Sequence, residues 1–242
     1  MKKLAVKAWR LFFFANFFCT LVFFYPFFRW WLFSEPRWYK TALKVQRFWA
    51  GWLLFWSGIR VRTEHAVPLP DGPKIWVANH CSALDILIMY DLVPEYFHFV
   101  AKRELANHKL FGVMFGKTHI PILRDSMTDS FKAMQRAADD VKNGCSIVLF
   151  PEGTMQYEAG KMNPFKNGAF KLSVDTGAPV IPVAFPDNLE RLPFTYNILY
   201  PAGGPGKARV LTGKPLYPAD FNNDVKALSE AAEQQILEML KR

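Results

Sequence analysis

Eighteen consecutive uncharged residues, Leu11 to Phe28 (LFFFANFFCTLVFFYPFF), constrain this chain more than any other feature. As a helix the run would reach about 27 Å, at the lower edge of a full membrane crossing. Arg29 and Arg37 flank the WWLFSEP segment that follows, and Pro36 ends a helix there. A second apolar stretch, Leu43 to Ile59, is interrupted by Arg47. Trp30, Trp31, Trp38, Trp49, Trp52 and Trp56 are interface-type residues whose amphipathic rings favour the headgroup level, with Lys and Arg snorkelling toward phosphates among them.

Charge follows the same division. The chain carries 30 Lys and Arg against 21 Asp and Glu, a net +9. Up to Arg62 there are eleven cations and one acid, Glu35; the remainder holds nineteen cations and twenty acids. Of the 39 aromatics (23 Phe, 8 Trp, 8 Tyr), 21 lie in the same first quarter, with seven of the eight Trp. Residues 1–62 are therefore expected to form a membrane-binding two-helix segment. A transmembrane span and a hairpin dipping into one leaflet both fit, and the short runs with bracketing charge favour the hairpin. A pair of buried core helices does not account for seven Trp beside eleven cations. Nucleic acid is excluded as a partner, because the basic residues are interleaved with Phe-only runs that would not stay in water. The run contains Pro26 and no small-residue cleavage site, so it reads as retained rather than as a signal peptide.

Three widely spaced cysteines, Cys19, Cys81 and Cys145, form no C-x-x-C pair and no metal-ligand spacing. No disulfide framework and no metal site is expected, and a reducing, cytosol-facing compartment is the natural setting.

From residue 63 to 242 the texture is that of one α/β domain. Strands are expected at Lys74–Asn79, Phe97–Ala101, His119–Leu123, Ser146–Phe150, Val180–Phe185 and Ala208–Thr212. Helices are expected at Asp85–Leu92, Ser130–Asn143, Ala169–Thr176 and Val225–Leu240, with Phe131, Met134, Ala138 and Val141 on the buried face of the second. Such alternation implies a sheet flanked by helices, with the site outside the strand ends.

Two motifs carry chemistry. His80 directly follows the strand KIWVAN, and Asp85 lies five residues on. Ser82-Ala-Leu-Asp85 reads as a capping box with Ser82 as N-cap, which leaves His80 on the preceding loop where its ring can fold back to the Asp85 carboxylate. A His held in this way is a general base. Phe150-Pro151-Glu152-Gly153-Thr154 follows the strand SIVLF and brings a carboxylate, a flexible Gly and a hydroxyl to a strand end. Cys81 has no partner marking it as a nucleophile. The chain contains no G-x-S-x-G elbow, P-loop, H-E-x-x-H or dinucleotide fingerprint.

NHCSALD, ILRD, FPEGT and VIPVAF occur in that order, with AKRELANHKLFG and PFKNGAF between them. Over residues 61 to 215 the chain resembles the bacterial 1-acyl-sn-glycerol-3-phosphate acyltransferases of the glycerolipid acyltransferase superfamily. The resemblance implies a glycerolipid acyltransferase-like mixed sheet flanked by helices, and a membrane-dipping two-helix N-terminal element. It implies transfer of a fatty acyl group from acyl carrier protein or coenzyme A to a lysophospholipid hydroxyl, with no further cofactor. His80 would be the base and Asp85 its orienting partner. Phe150, Pro151, Glu152, Gly153 and Thr154 would bind the acceptor, Arg124 its glycerol phosphate, and Lys102 a phosphate. Pro182 would shape the acyl region. The family usually continues FPEGT with Arg-Ser, whereas this chain has Met155-Gln156, and Lys102, Arg124 and Lys166 are left to supply positive charge. The implied setting is the cytoplasmic face of a bacterial inner membrane.

Overall fold

The computed structural model describes residues 2–242 except 33, 110, 111, 113, 114, 116, 117, 124, 159, 160 and 196; the Trp31 side chain and Arg124 lie outside the described residues. Seven strands among them form one sheet: β1 (Ile59–His65), β2 (Ile75–Ala78), β3 (Phe97–Lys102), β4 (Ile120–Ile122), β5 (Ser146–Leu149), β6 (Val180–Ala184) and β7 (Gly206–Thr212). Their spatial order is β1-β7-β6-β2-β5-β3-β4. Every pairing is parallel except β6 with β7, so β1 and β7 run against the other five.

Side-chain alternation sorts the strand residues onto two cores. Trp76, Ala78, Phe97, Phe99, Val148, Ile181 and Val183 face one. Ile75, Val77, Ile147, Leu149, Val180 and Ala184 face the other. Burial on both faces is why β2 and β5 read as unbroken apolar runs. The second face is covered by α5 (Met127–Lys142), α6 (Gly168–Thr176) and α8 (Val225–Leu240). The first is covered by α3 (Leu84–Leu92) together with α1 (Lys2–Phe27) and α2 (Tyr39–Trp56). Short helices α4 (Arg103–Asn107) and α7 (Asn188–Arg191) complete the described α-helices.

Several expectations shift. Ser126 caps α5, its hydroxyl accepting the Asp129 N–H at 3.2 Å, so the helix starts at Met127 rather than Ser130. Its buried stripe is Ala133, Ala137 and Val141, and Phe131 points to solvent. The apolar stretch Leu43–Ile59 divides: α2 stops at Trp56, Gly58 takes a left-handed conformation (φ 67°), and Ile59 opens β1. A side chain at 58 would also press on Pro205, 2.9 Å from its Cβ. Strand β1 runs through the boundary placed between residues 62 and 63.

Helices α1 and α2 each have a buried and an exposed side. Arg10, Phe13 and Leu21 of α1 are buried, as are Leu43, Trp49 and Leu53 of α2. Trp49 is thus a core residue, not an interfacial one; its indole donates to Thr20 at 2.9 Å and its ring packs on Phe17. Facing outward are Leu11, Phe12, Phe18, Phe23, Trp30, Phe48, Trp52, Phe55 and Trp56. Lys2–Trp30 is long and apolar enough to cross a membrane. Two arginines fasten the pair to the domain. Arg10 donates to the carbonyls of Ile198, Pro193 and Ala202, and Arg47 to those of Val93 and Glu95.

Candidate active site

Strands β2, β3 and β5 are parallel neighbours, so their C-terminal ends open on one rim of the sheet. His80 leaves the end of β2, Lys102 ends β3, and Phe150 follows β5. The His80 ring lies against Phe150 with centroids 4.1 Å apart and planes at 18°. Its Nδ1 sits 2.9 Å from Oδ2 of Asp85. Asp85 can only accept there, so Nδ1 carries the proton and Nε2 keeps a lone pair on the opposite side of the ring.

Asp85 is wholly buried and well supplied with donors. Its Oδ2 also accepts the backbone N–H of Cys81 at 2.7 Å and of Ser82 at 2.9 Å. Its Oδ1 accepts the Asn188 side-chain amide at 2.8 Å. The capping box is therefore realised from one side. Helix α3 starts at Leu84 with Ala83 as N-cap, while the Ser82 hydroxyl takes the Leu84 N–H and donates to the Leu192 carbonyl. The Asp85 N–H goes to the Ser82 carbonyl. The amides of Cys81, Ser82, Leu84 and Asp85 are all committed within this turn, which narrows the oxyanion donors near this helix start. Cys81 is buried, and burial first, then the Asp85 charge, raises its thiol far above the ordinary range. That is the opposite of an activated nucleophile.

Glu152 faces inward. Its Oε1 accepts the His80 N–H at 2.8 Å and its Oε2 the Asn163 N–H at 2.7 Å. The His80 carbonyl in turn accepts the Gln156 N–H at 2.7 Å, so Glu152 and the segment just after FPEGT grip the base by both backbone groups. Burial lifts the Glu152 carboxyl above its usual range against the pull of these amides. Gly153 is left-handed (φ 73°), and a Cβ there would meet the Lys166 side chain at 3.0 Å.

A cavity of about 430 Å³ opens at this rim, with His80, Phe99, Lys102, Phe150, Thr154 and Met155 in its walls. A second, of about 280 Å³, is apolar throughout and bounded by Phe13, Phe14, Phe17, Phe18, Trp49 and Tyr90. The two adjoin, sharing Ile86, Leu105, Phe115, Met155 and Phe194. Lys102 is exposed and pairs with Glu104 at 3.1 Å. Pro151, Gly153 and Lys166 border a third, smaller cavity on the far side of Phe150, away from the His80 ring. Pro182 is not brought to the site. It sits buried mid-way along β6, beside Val77, where β7 pairing has not yet begun, and its carbonyl accepts the Gly213 N–H. Arg124 lies outside the described residues. Asn188 and the inward role of Glu152 escaped the sequence reading; both depend on contacts between segments far apart in the chain. The signal for Asn188 was a polar residue three positions past the end of VIPVAF.

A sequence model of the acyltransferase family matches residues 58–186, more than half of the chain. The chain belongs to the acyltransferase family. Among its relatives are a chloroplastic 1-acyl-sn-glycerol-3-phosphate acyltransferase of Brassica napus, 32% identical over 62% of this chain and 43% of the relative. The mouse alpha enzyme of the same name is 28% identical over 78% and 65%. The chain spans about half the length of the first curated relatives it matches. A crystal structure of the 1-acyl-sn-glycerophosphate (LPA) acyltransferase PlsC from Thermotoga maritima superposes with a TM-score of 0.81 at 25% identity, covering 100% of this chain and 97% of that one. The mixed sheet expected from the acyltransferase resemblance is the one observed.

Proposed function

We propose that this acyltransferase moves a fatty acyl group from a thioester of acyl carrier protein or coenzyme A to the sn-2 hydroxyl of lysophosphatidic acid. The observation that carries the reading is an oriented base, His80 on Asp85, in the wall of a partly polar chamber that shares lining residues with a wholly apolar one. Nε2 takes the acceptor hydroxyl proton as the oxygen attacks the thioester carbonyl carbon. The tetrahedral oxyanion collapses, the C–S bond breaks, and the thiolate leaves with the proton held by His80. Asp85 stabilises the transient imidazolium. No enzyme nucleophile is required, which agrees with the inert setting of Cys81. The aromatic chamber under α1 suits the acyl chain, and the outward Phe and Trp of α1 and α2 suit a bilayer. The likeness along the full chain to a bacterial protein supports a seat on the cytoplasmic face of a bacterial inner membrane.

Purified protein in mixed micelles, given each donor with 1-acyl-glycerol-3-phosphate, should release thiol in step with phosphatidic acid seen by mass spectrometry. His80→Ala should lower that rate about 10²- to 10⁴-fold with the fold intact. Thiol release independent of acceptor would make the protein a thioesterase instead. A second acceptor reading rests on Met155, which puts a thioether in the cavity wall close to His80. An acceptor panel with other lyso-lipids decides it, since faster turnover of a headgroup without a phosphate monoester overturns the lysophosphatidic acid assignment.

A further inference from the structure

We infer that Asn188 is a positioning residue of the His80–Asp85 pair, fixing the carboxylate that orients the base; this rests on the proposed acyl transfer. Asn188 opens α7 and is wholly buried, and its amide N–H reaches Oδ1 of Asp85 at 2.8 Å. Three other N–H donors, from His80, Cys81 and Ser82, all meet Oδ2, while the Cys81 thiol, a weak donor, approaches Oδ1 only at 3.9 Å. Among the described residues, Asn188 thus supplies the one hydrogen bond of ordinary length on the other oxygen. Without it, Oδ1 has no strong donor, and the carboxylate is free to turn about Cβ–Cγ and release the imidazole.

The amide is also held in a costly way. Its own Oδ1 is buried with no partner among the described residues, and turning the group over would set that oxygen against the Asp85 carboxylate. An apolar side chain would pack here without the orphaned acceptor, so packing alone does not explain an Asn. The segment bearing it is stitched to the His80 loop on either side: the Phe185 N–H donates to the Asn79 side chain, and the Ser82 hydroxyl to the Leu192 carbonyl. Behind it, Asp187 is gripped by the Arg209 guanidinium of β7 at 2.6 and 2.9 Å.

The test compares Asn188→Ala and Asn188→Asp with the parent protein, each corrected for folded fraction by near-ultraviolet circular dichroism. Asn188→Ala should lower kcat about 10- to 100-fold, the scale of lost orienting partners, and leave the acceptor KM within about twofold. In Asn188→Asp the new carboxyl donates to Asp85 only while protonated; once ionised it faces a like charge at hydrogen-bond distance. The groups around it are Cys81 and His80 on the loop, Glu152 on the FPEGT turn, and the Asp187–Arg209 pair. The ratio of variant to parent activity should therefore fall as pH rises. A ratio flat with pH together with parental kcat in Asn188→Ala overturns the inference. Should the parent transfer no acyl group, the proposed function fails and proton NMR judges Asn188 separately. Asn188→Ala must then shift or abolish the downfield Nδ1 proton resonance of His80, and an unmoved resonance overturns the assignment.

Discussion

Glu152 spends both carboxylate oxygens on backbone amides, one of them that of the base itself. Replacing it by Gln leaves one oxygen and turns an NH₂ group toward the other amide, a buried donor facing a donor. Such an orphaned group costs about 1–3 kcal/mol, enough to let the His80 loop move. Glu152→Gln should therefore lower kcat about tenfold with little change in acceptor KM. A risen KM at unchanged kcat, read from initial rates over acceptor concentration, would place the carboxylate on the substrate instead. At this scale the H-x4-D pair was legible, because a strand end, a loop His and a helix-start Asp are all local signals. The orientation of Glu152 was not. Whether a carboxylate at a strand end faces ligand or backbone depends on Asn163, and on a loop 72 residues away in the chain.

Among the elements, the central strands and α8 were legible because burial on both faces, or a complete amphipathic period, leaves its mark in one segment. Edge strand β1 (IRVRTEH) was not, since it pairs only with β7 and exposes most of its side chains. On α5 the expected Met134, Ala138 and Val141 do pack on the core, but Phe131 is exposed, because close approach to the sheet selects the small residues Ala133 and Ala137. Between β3 and β4 stands a buried imidazole with an assignable tautomer. His119 Nδ1 accepts the Phe99 N–H at 3.2 Å, so its proton is on Nε2, 3.0 Å from the Tyr90 hydroxyl. Burial above all, then the neighbouring His98 and Arg136, hold this ring well below the ordinary imidazole range. The unfolded chain therefore binds the proton more readily. The stability His119 contributes is complete above about pH 6.5 and is lost as pH falls through its depressed native value. His119→Gln should lower the Tm at neutral pH yet flatten the decline of Tm on acidification from about pH 6.5. An acid limb as steep as the parent's would remove His119 as its source.

The molecule as a whole assigns its excess charge more finely than the sequence allowed. Of the eleven cations up to Arg62, Arg10 and Arg47 are spent on backbone carbonyls of the catalytic domain and fasten the helices to it. The other nine, Lys2, Lys3, Lys7, Arg29, Arg37, Lys40, Lys44, Arg60 and Arg62, are exposed. Most Phe and Trp of α1 and α2 that face outward are exposed as well, while Phe13, Phe14, Phe17, Phe18 and Trp49 wall the apolar chamber. On the proposed bilayer seat these two groups do different work. Burying the rings is insensitive to salt, whereas attraction of exposed cations to anionic headgroups is worth about 1 kcal/mol each near the surface and is screened over about 8 Å at physiological salt. Vesicles of phosphatidylcholine with phosphatidylglycerol should bind the protein more tightly than phosphatidylcholine alone, and salt should erase most of that difference without releasing the protein. Phe55→Asp with Trp56→Asp, both on the exposed side of α2, should weaken cosedimentation with both vesicle types, while leaving the His80 site folded. Undiminished cosedimentation of that double variant would show that the aromatic face of α2 does not meet lipid, and would leave α1 alone to hold the chamber mouth at the membrane.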